Sequence, residues 1–163
     1  MKFPILASIL CLAFSMAACG ANNPQSNEPE TPQVSQTEDN NNTENDMVTT
    51  MRITVDGRTL TATLEDNATT RAIVQRLPMT LPMMDLYGRE MCYRFPDALP
   101  TDDARNRGYE VGEIVYYPPM HSFVIMYRQN GEHFQMQSIG RIDSGVEIFD
   151  GIGNVDVTFE IAK

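Results

Sequence analysis

The stretch GEIVYYPPMHSFVIMY, residues 112–127, decides the architecture of this chain. It consists of two apolar runs, 114–117 and 123–127, joined by PPMH at 118–121. Runs that are apolar on both faces are typical of strands in the middle of a closed or sandwiched sheet. Proline has no backbone N–H to donate to the hydrogen bonds of a sheet, and it restricts the preceding residue to an extended conformation. The stretch therefore predicts two core strands joined by a stiff turn, and it also fits the rim of a binding groove.

The sequence before this stretch predicts a hairpin and one helix. Residues 51–64 alternate apolar and polar side chains on either side of Asp56-Gly57, a pair that favours tight hairpin turns. Residues 65–78 predict a helix that Asp66 or Asn67 caps and Pro78 ends.

Short strands account for most of the remaining chain. MTLPMMDLY and REMCYRF each predict a strand, and Pro82 makes the first an edge strand or a bulged one. The polar segment 97–108 predicts a long loop of functional or mobile character, and Asn130-Gly131 predicts another tight hairpin. VEIF at 146–149 and NVDVTFEIA at 154–162 alternate again. About eight strands and one helix favour a mainly β fold, a small antiparallel barrel that is closed or partly closed.

The N-terminal residues predict export. Residues 1–18 combine Lys2, an apolar stretch over 5–14 and small residues before Cys19, as a signal peptide does. Met16-Ala17-Ala18-Cys19 resembles the bacterial lipobox, in which the cysteine after the cleavage site carries lipid, palmitate included. We therefore expect lipidation of Cys19 and an extracytoplasmic domain anchored to the cell membrane or outer membrane. A plain secretory signal cut after Ala18 is the alternative.

An acidic linker is predicted to follow the lipidated cysteine within residues 19–47. Six of the 22 acidic residues lie in it, it contains no basic residue, and it is too polar to fold. Lys2 is the one base before residue 48, so the predicted domain at 48–163 keeps 16 acidic and 11 basic residues. This mildly acidic balance argues against nucleic acid or anionic lipid as a partner of the domain.

No metal site or cofactor is predicted. Cys92 is the one cysteine left after Cys19, and a buried apolar role suits it better than a nucleophilic one. His121 and His133 are the only histidines, and the methionines form no Met-x-Met array of the kind that binds copper. The sequence also lacks the H-E-x-x-H, C-x-x-C and G-x-S-x-G motifs.

Several motifs in a fixed order resemble the bacterial cyclophilin-like domain family. They are the Asp-Gly hairpin, a helix ending in Leu-Pro, DLYGRE, VGEIVYYPPMHSFVIMY and SIGRI, and the resemblance covers residues 51–163. It implies an eight-stranded barrel with a groove on one side. We expect this groove at Tyr117, His121, Phe123 and Met126.

The resemblance also implies a possible isomerase. Cyclophilins isomerise X–Pro bonds by holding the proline in an apolar pocket beside an arginine, and Arg89 and Arg94 are the catalytic candidates. A surface ion pair with Glu90 is the alternative role for Arg89, and simple solvent exposure is the alternative for Arg94. The apolar set Phe123, Met126, Phe134 and Met136 fits either the core or a pocket.

True cyclophilins contain Phe-His-Arg and Gln-Gly-Gly-Asp segments and a tryptophan that this chain lacks. We therefore predict a lipoprotein that binds a peptide, protein or small ligand in its groove. A peptidyl-prolyl cis-trans isomerase that assists folding of exported proteins is the alternative. An accessory of a larger envelope complex is a third interpretation.

Overall fold

The computed structural model describes residues 49–163, so the predicted signal peptide, Cys19 and the acidic linker lie outside the described residues. This part of the chain contains nine strands, one α-helix and two short 3-10 helices. The strands are β1 (Thr50–Val55), β2 (Arg58–Leu64), β3 (Met79–Leu86), β4 (Glu90–Arg94), β5 (Arg105–Arg107), β6 (Glu113–Tyr117), β7 (Ser122–Met126), β8 (Phe134–Ile142) and β9 (Val155–Ile161). Helix α1 is Ala68–Val74, and the 3-10 helices are Pro118–Met120 and Val146–Phe149.

Eight of these strands form a closed antiparallel barrel. Their order is β2-β1-β9-β3-β4-β7-β6-β8, and β8 returns to pair with β2. The ninth strand, β5, pairs only with β8 and stands outside the cycle. The predicted mainly β barrel of about eight strands and one helix is confirmed, and the barrel is closed.

The turns follow local sequence. Asp56 and Gly57 both have positive φ, as a tight hairpin between β1 and β2 requires. Strands β6 and β7 are joined by the 3-10 turn Pro118–Met120, followed by His121 in a left-handed conformation. The double proline therefore turns the chain between two core strands. Pro82 lies in the first half of β3, which pairs with β9 but not with β4. Because one side of this half has no partner strand, the missing N–H of proline is tolerated there.

The barrel interior holds the main hydrophobic core. Alternation along each strand points every second side chain inwards, and the largest of these are Tyr116, Phe123 and Phe159, all fully buried. Phe149, from the second 3-10 helix, is also fully buried in this core. The rings of Phe123 and Phe159 pack edge to face with centres 5.2 Å apart. Such aromatic pairs contribute about 0.5–1.5 kcal/mol beyond their buried area.

Helix α1 begins at the predicted cap. The side chain of Asn67 accepts a hydrogen bond from the Thr70 backbone N–H at 2.9 Å, and its amide donates to the Ser138 carbonyl in β8. Ile73 is fully buried in the barrel core. The helix is thus attached to the barrel at its first turn and by its apolar face.

The polar segment 97–108 is tied to its neighbours rather than loose. The Leu99 N–H donates to the buried Tyr116 hydroxyl at 2.9 Å, and the Asp103 N–H donates to the Gln137 side chain at 2.8 Å. The Thr69 hydroxyl donates to the Pro100 carbonyl. The segment ends in the short strand β5, which the sequence did not predict because RNR has no apolar alternation.

Two predicted elements differ from the structure. VEIF forms a 3-10 helix at Val146–Phe149 instead of a strand, and only Phe149 of it is buried. Asn130-Gly131 does not join paired strands, because β6 lies between β7 and β8 in the sheet. The turn there is local: the Asn130 side chain accepts from the Glu132 N–H at 2.9 Å.

Closure of the barrel requires glycine at position 140. A Cβ added to Gly140 would lie 2.3 Å from the Thr63 carbonyl oxygen and 2.9 Å from the Leu64 Cα, both on β2. We expect Gly140→Ala to lower the free energy of unfolding by about 3 kcal/mol, the upper end of overpacking costs. Urea denaturation followed by circular dichroism measures this change.

Gly108→Ala is the matched control for this prediction. A Cβ at Gly108 would meet only the His133 ring, at 3.4 Å. We expect its effect to stay below about 1 kcal/mol. Equal losses in the two variants would contradict the role given to Gly140.

Candidate functional site

A cleft lies on the outer wall of the barrel, across four neighbouring strands. Its volume is about 330 Å³. Because side chains alternate along a strand, every second residue of β4, β7 and β6 lines the cleft. These residues are Glu90, Cys92 and Arg94 from β4, Ser122, Val124 and Met126 from β7, and Val115 and Tyr117 from β6; β8 adds Phe134 and Met136.

The floor of the cleft belongs to a second hydrophobic cluster, separate from the barrel core. Its buried members are Cys92, Tyr109, Val115, Val124, Met126 and Met136, with Leu86 and Phe134 partly buried beside them. The walls β4, β6 and β7 therefore bury apolar side chains on both faces. This explains why the runs within 112–127 are apolar without interruption.

One end of the cleft is formed by the turn between β3 and β4. Tyr87 and Gly88 occupy this turn, both with positive φ, and Tyr87 is 80% exposed. A left-handed conformation costs a residue with a Cβ about 1–2 kcal/mol. The Arg89 guanidinium lies over the Tyr87 ring at 4.9 Å and over the Phe134 ring at 5.1 Å. Arg89 thus holds two aromatic rings at this end.

Arg89 is also ion-paired. Its Nε lies 3.3 Å from Glu90 Oε2, and its Nη1 lies 3.7 Å from Glu132 Oε2. The Arg89 and Glu90 side chains are both mostly buried. The predicted pair with Glu90 is present, but it belongs to the cleft wall rather than to an open surface.

Burial alters the titration of two groups in the cleft. It raises the pKa of Glu90, and the neighbouring Arg89 acts in the opposite direction. Burial also raises the pKa of the Cys92 thiol. A thiol of raised pKa is a poor nucleophile, in agreement with an apolar role for Cys92.

The opposite end of the cleft is formed by Arg94, Tyr117, Met120 and Ser122. Arg94 and Tyr117 both stand opposite Ser122 in the register of their strands. Arg94 is exposed, and within residues 49–163 it forms no ion pair with a carboxylate, whereas six other arginines of that range do. This end therefore carries an uncompensated positive charge.

The predicted site residues are only partly brought together. Arg89, Arg94, Tyr117 and Met126 all line the cleft, as do Phe134 and Met136. Phe123 does not, because it occupies the opposite parity on β7 and points into the barrel core. This corrects its expected place in the groove.

His121 is also outside the cleft lining. Its neighbours Met120 and Ser122 line the cleft, while the His121 backbone carbonyl accepts a hydrogen bond from the Phe95 N–H at 2.9 Å. In the turn, His121 adopts a left-handed backbone conformation and ends the 3-10 helix.

The sequence did not predict Tyr87, Glu90 and Met120 as cleft residues, although all three line it. Alternation from Arg94 back through Cys92 could have identified Glu90, since the three share one face of β4. Tyr87-Gly88 between two predicted strands indicates a turn. Nothing in the sequence, however, indicates that the Tyr87 side chain is exposed.

Two further classes of site are not evident in the described part of the chain. Residues 49–163 contain no group of three or more histidine, cysteine or acidic side chains placed to hold a metal ion. The same residues contain no helix with the length and apolar character needed to cross a membrane.

Comparison with known proteins agrees with the barrel. The cyclophilin-like family model matches residues 53–160. The chain belongs to the cyclophilin-like family. The solution structure of a hypothetical protein from Archaeoglobus fulgidus is similar, with a TM-score of 0.56 and 18% sequence identity, over 70% of this chain and 95% of that one. At this identity the similarity concerns the fold alone. No curated protein matches this chain significantly.

The raised pKa of Glu90 leads to a testable dependence on pH. A glutamate with a higher pKa in the folded state contributes stability that is fully present below the unfolded pKa and lost as pH rises through the folded pKa. The Glu90→Gln variant does not lose stability in this way, because glutamine does not titrate. The difference in unfolding free energy, variant minus wild type, should therefore increase from pH 4 to pH 8, as measured by urea denaturation.

Glu132→Gln is the control for this titration, because Glu132 is mostly exposed and meets Arg89 only at 3.7 Å. Its difference from wild type should vary less with pH. A difference for Glu90→Gln that shrinks with rising pH would show that Arg89, not burial, dominates the carboxyl group.

Proposed function

We propose that this protein is an exported lipoprotein whose cyclophilin-like domain binds a peptide or protein segment in the outer cleft. One observation carries the proposal: of the three exposed large apolar side chains in the described residues, two line this cleft, one at each end. They are Tyr87, 80% exposed, and Met120, 44% exposed. Exposed apolar groups beside a preformed apolar floor are typical of a binding surface.

The backbone at Tyr87 supports the same proposal. A turn with positive φ at two successive positions favours asparagine and glycine, yet tyrosine occupies the first of them. Residues held in a costly conformation cluster at functional sites. The tyrosine supplies a rigid aromatic surface at the cleft rim, which is a frequent anchor in protein recognition.

Prolyl isomerisation is a second candidate function, because Arg89 and Arg94 both line the apolar cleft. Rotation about a peptide bond has a barrier of about 18–20 kcal/mol, and an arginine beside a bound proline would lower it by stabilising the twisted amide. Arg94 suits this role better than Arg89, which is engaged with Glu90 and two aromatic rings.

Tyr87→Asn separates stability from binding. Asparagine adopts the left-handed conformation more easily than tyrosine, so we expect the variant to be as stable as the wild type or up to about 1 kcal/mol more stable. We expect its affinity for apolar hexapeptides to fall about tenfold or more, because an aromatic anchor is lost. NMR titration of the full-length protein carrying Cys19→Ser measures the affinity.

Ile161→Asn is the control, since Ile161 is the third exposed apolar residue and lies on β9, outside the cleft. It should leave the affinity unchanged.

Exchange NMR on X–Pro peptides in the same samples tests isomerisation: acceleration that disappears in Arg94→Gln assigns the enzyme, and binding without acceleration assigns a binding domain. Absence of shifts at the cleft for every peptide would refute the proposed function.

The lipid anchor is tested separately. The lipobox-like sequence before Cys19 is the observation behind it. In bacterial cells fed with labelled palmitate, we expect the wild type to incorporate label and to sediment with membranes. Cys19→Ser should do neither, while Cys92→Ser should retain both. Equal labelling of Cys19→Ser and wild type would exclude Cys19 as the lipidated residue.

A further inference from the structure

We infer that the cleft recognises the C-terminal end of a peptide, with the terminal carboxylate on Arg94. The inference rests on the peptide-binding function proposed above and adds to it the chemistry and the direction of the ligand. Three features carry it: the distribution of charge between the ends of the cleft, the distance between these ends, and the apolar floor.

The charge of Arg94 has no counterion in the described residues. Six of the ten arginines in residues 49–163 are ion-paired. Of the other four, Arg76 donates to the Ala72 carbonyl and lies over the Phe95 ring, and Arg141 donates to the Val111 carbonyl. Only Arg58 and Arg94 lack such a contact with a backbone carbonyl, and only Arg94 lines the cleft. A guanidinium in this position suits a carboxylate, which it can bind through two parallel hydrogen bonds.

The other end of the cleft has the opposite preference. Glu90 uses Oε2 to accept from Arg89, while its Oε1 makes no hydrogen bond within the described residues. Together with Glu132, two carboxyl groups surround one guanidinium there. An anion would be repelled at this end, whereas a backbone N–H would find an acceptor in Glu90.

The spacing of these groups fits a short extended peptide. Glu90, Cys92 and Arg94 share one face of β4, so the two charged residues lie about 13 Å apart along the strand. An extended peptide of about four residues covers this distance. Its carboxylate would meet Arg94, and an N–H about three residues earlier would meet Glu90.

The middle of the cleft specifies the side chains of this peptide. Cys92, Val124 and Val115 face the cleft side by side on β4, β7 and β6, and Met136 lies next to them. All four are buried and apolar. The penultimate residues of the ligand should therefore be apolar, and a charged residue there would be excluded by its desolvation cost.

The test compares two acetylated hexapeptides rich in leucine and phenylalanine, identical except that one ends in a free carboxylate and the other in an amide. Both are titrated by NMR into the full-length protein carrying Cys19→Ser. We expect the free acid to bind about tenfold or more tightly, as a charge-assisted hydrogen-bond pair predicts. Arg94→Gln should reduce the affinity of the acid to that of the amide and leave the amide unchanged.

Arg58→Gln is the matched control, because Arg58 is the other arginine of the described residues with neither an ion pair nor a contact with a backbone carbonyl, and it lies on β2, away from the cleft. It should not change the preference for the acid. A nitroxide on the peptide N-terminus should broaden the signals of Tyr87 and Glu90 more than those of Tyr117 and Ser122. The opposite pattern would overturn the proposed direction.

The outcomes distinguish the two proposals. If acid and amide shift the cleft signals with equal affinity in wild type and Arg94→Gln, carboxylate recognition is refuted and peptide binding stands. If neither peptide shifts these signals, peptide binding itself is refuted, and carboxylate recognition fails with it.

Discussion

The close approach of β8 to β2 at Gly140 is the contact on which the barrel depends. A side chain there would meet the Thr63 carbonyl at 2.3 Å, so the two strands can pair only because this residue has none. Without that pairing, β2 and β8 would be free edges of an open sheet, exposed to other chains. Closure gives the sheet an inside, where the aromatic core packs, and an outside, where the cleft lies.

Burial on both faces of one wall places the barrel core and the cleft floor on the same three strands. Strands β4, β6 and β7 direct one set of side chains to the core and the alternate set to the cleft floor. A substitution on the floor, such as at Val124, therefore changes the surface of the cleft while the inward neighbours Phe123 and Ile125 keep the core intact. The polar ends of the cleft lie where these strands end, so the charged side chains of the cleft are kept out of the barrel core.

Much of the fold could be predicted from local sequence, and much of the cleft could not. Strand runs, the Asp56-Gly57 turn and the Asn67 cap depend on neighbours in sequence, and all are present. Strand pairing depends on distant residues, so the local sequence Asn130-Gly131 predicts a hairpin although β6 separates its flanking strands. The direction of Phe123 is not predictable for a simpler reason. Strand β7 is apolar on both faces, so hydrophobicity does not reveal which alternate set of side chains points inwards.

The circular strand order determines where the chain enters the barrel relative to the cleft. Counted in either direction, β1 lies four strands from β7, the centre of the cleft floor. The wall of the barrel that contains β1 is therefore the one opposite the cleft. The barrel core lies between these two walls, so a molecule in contact with the outer face of β1 would leave the cleft uncovered.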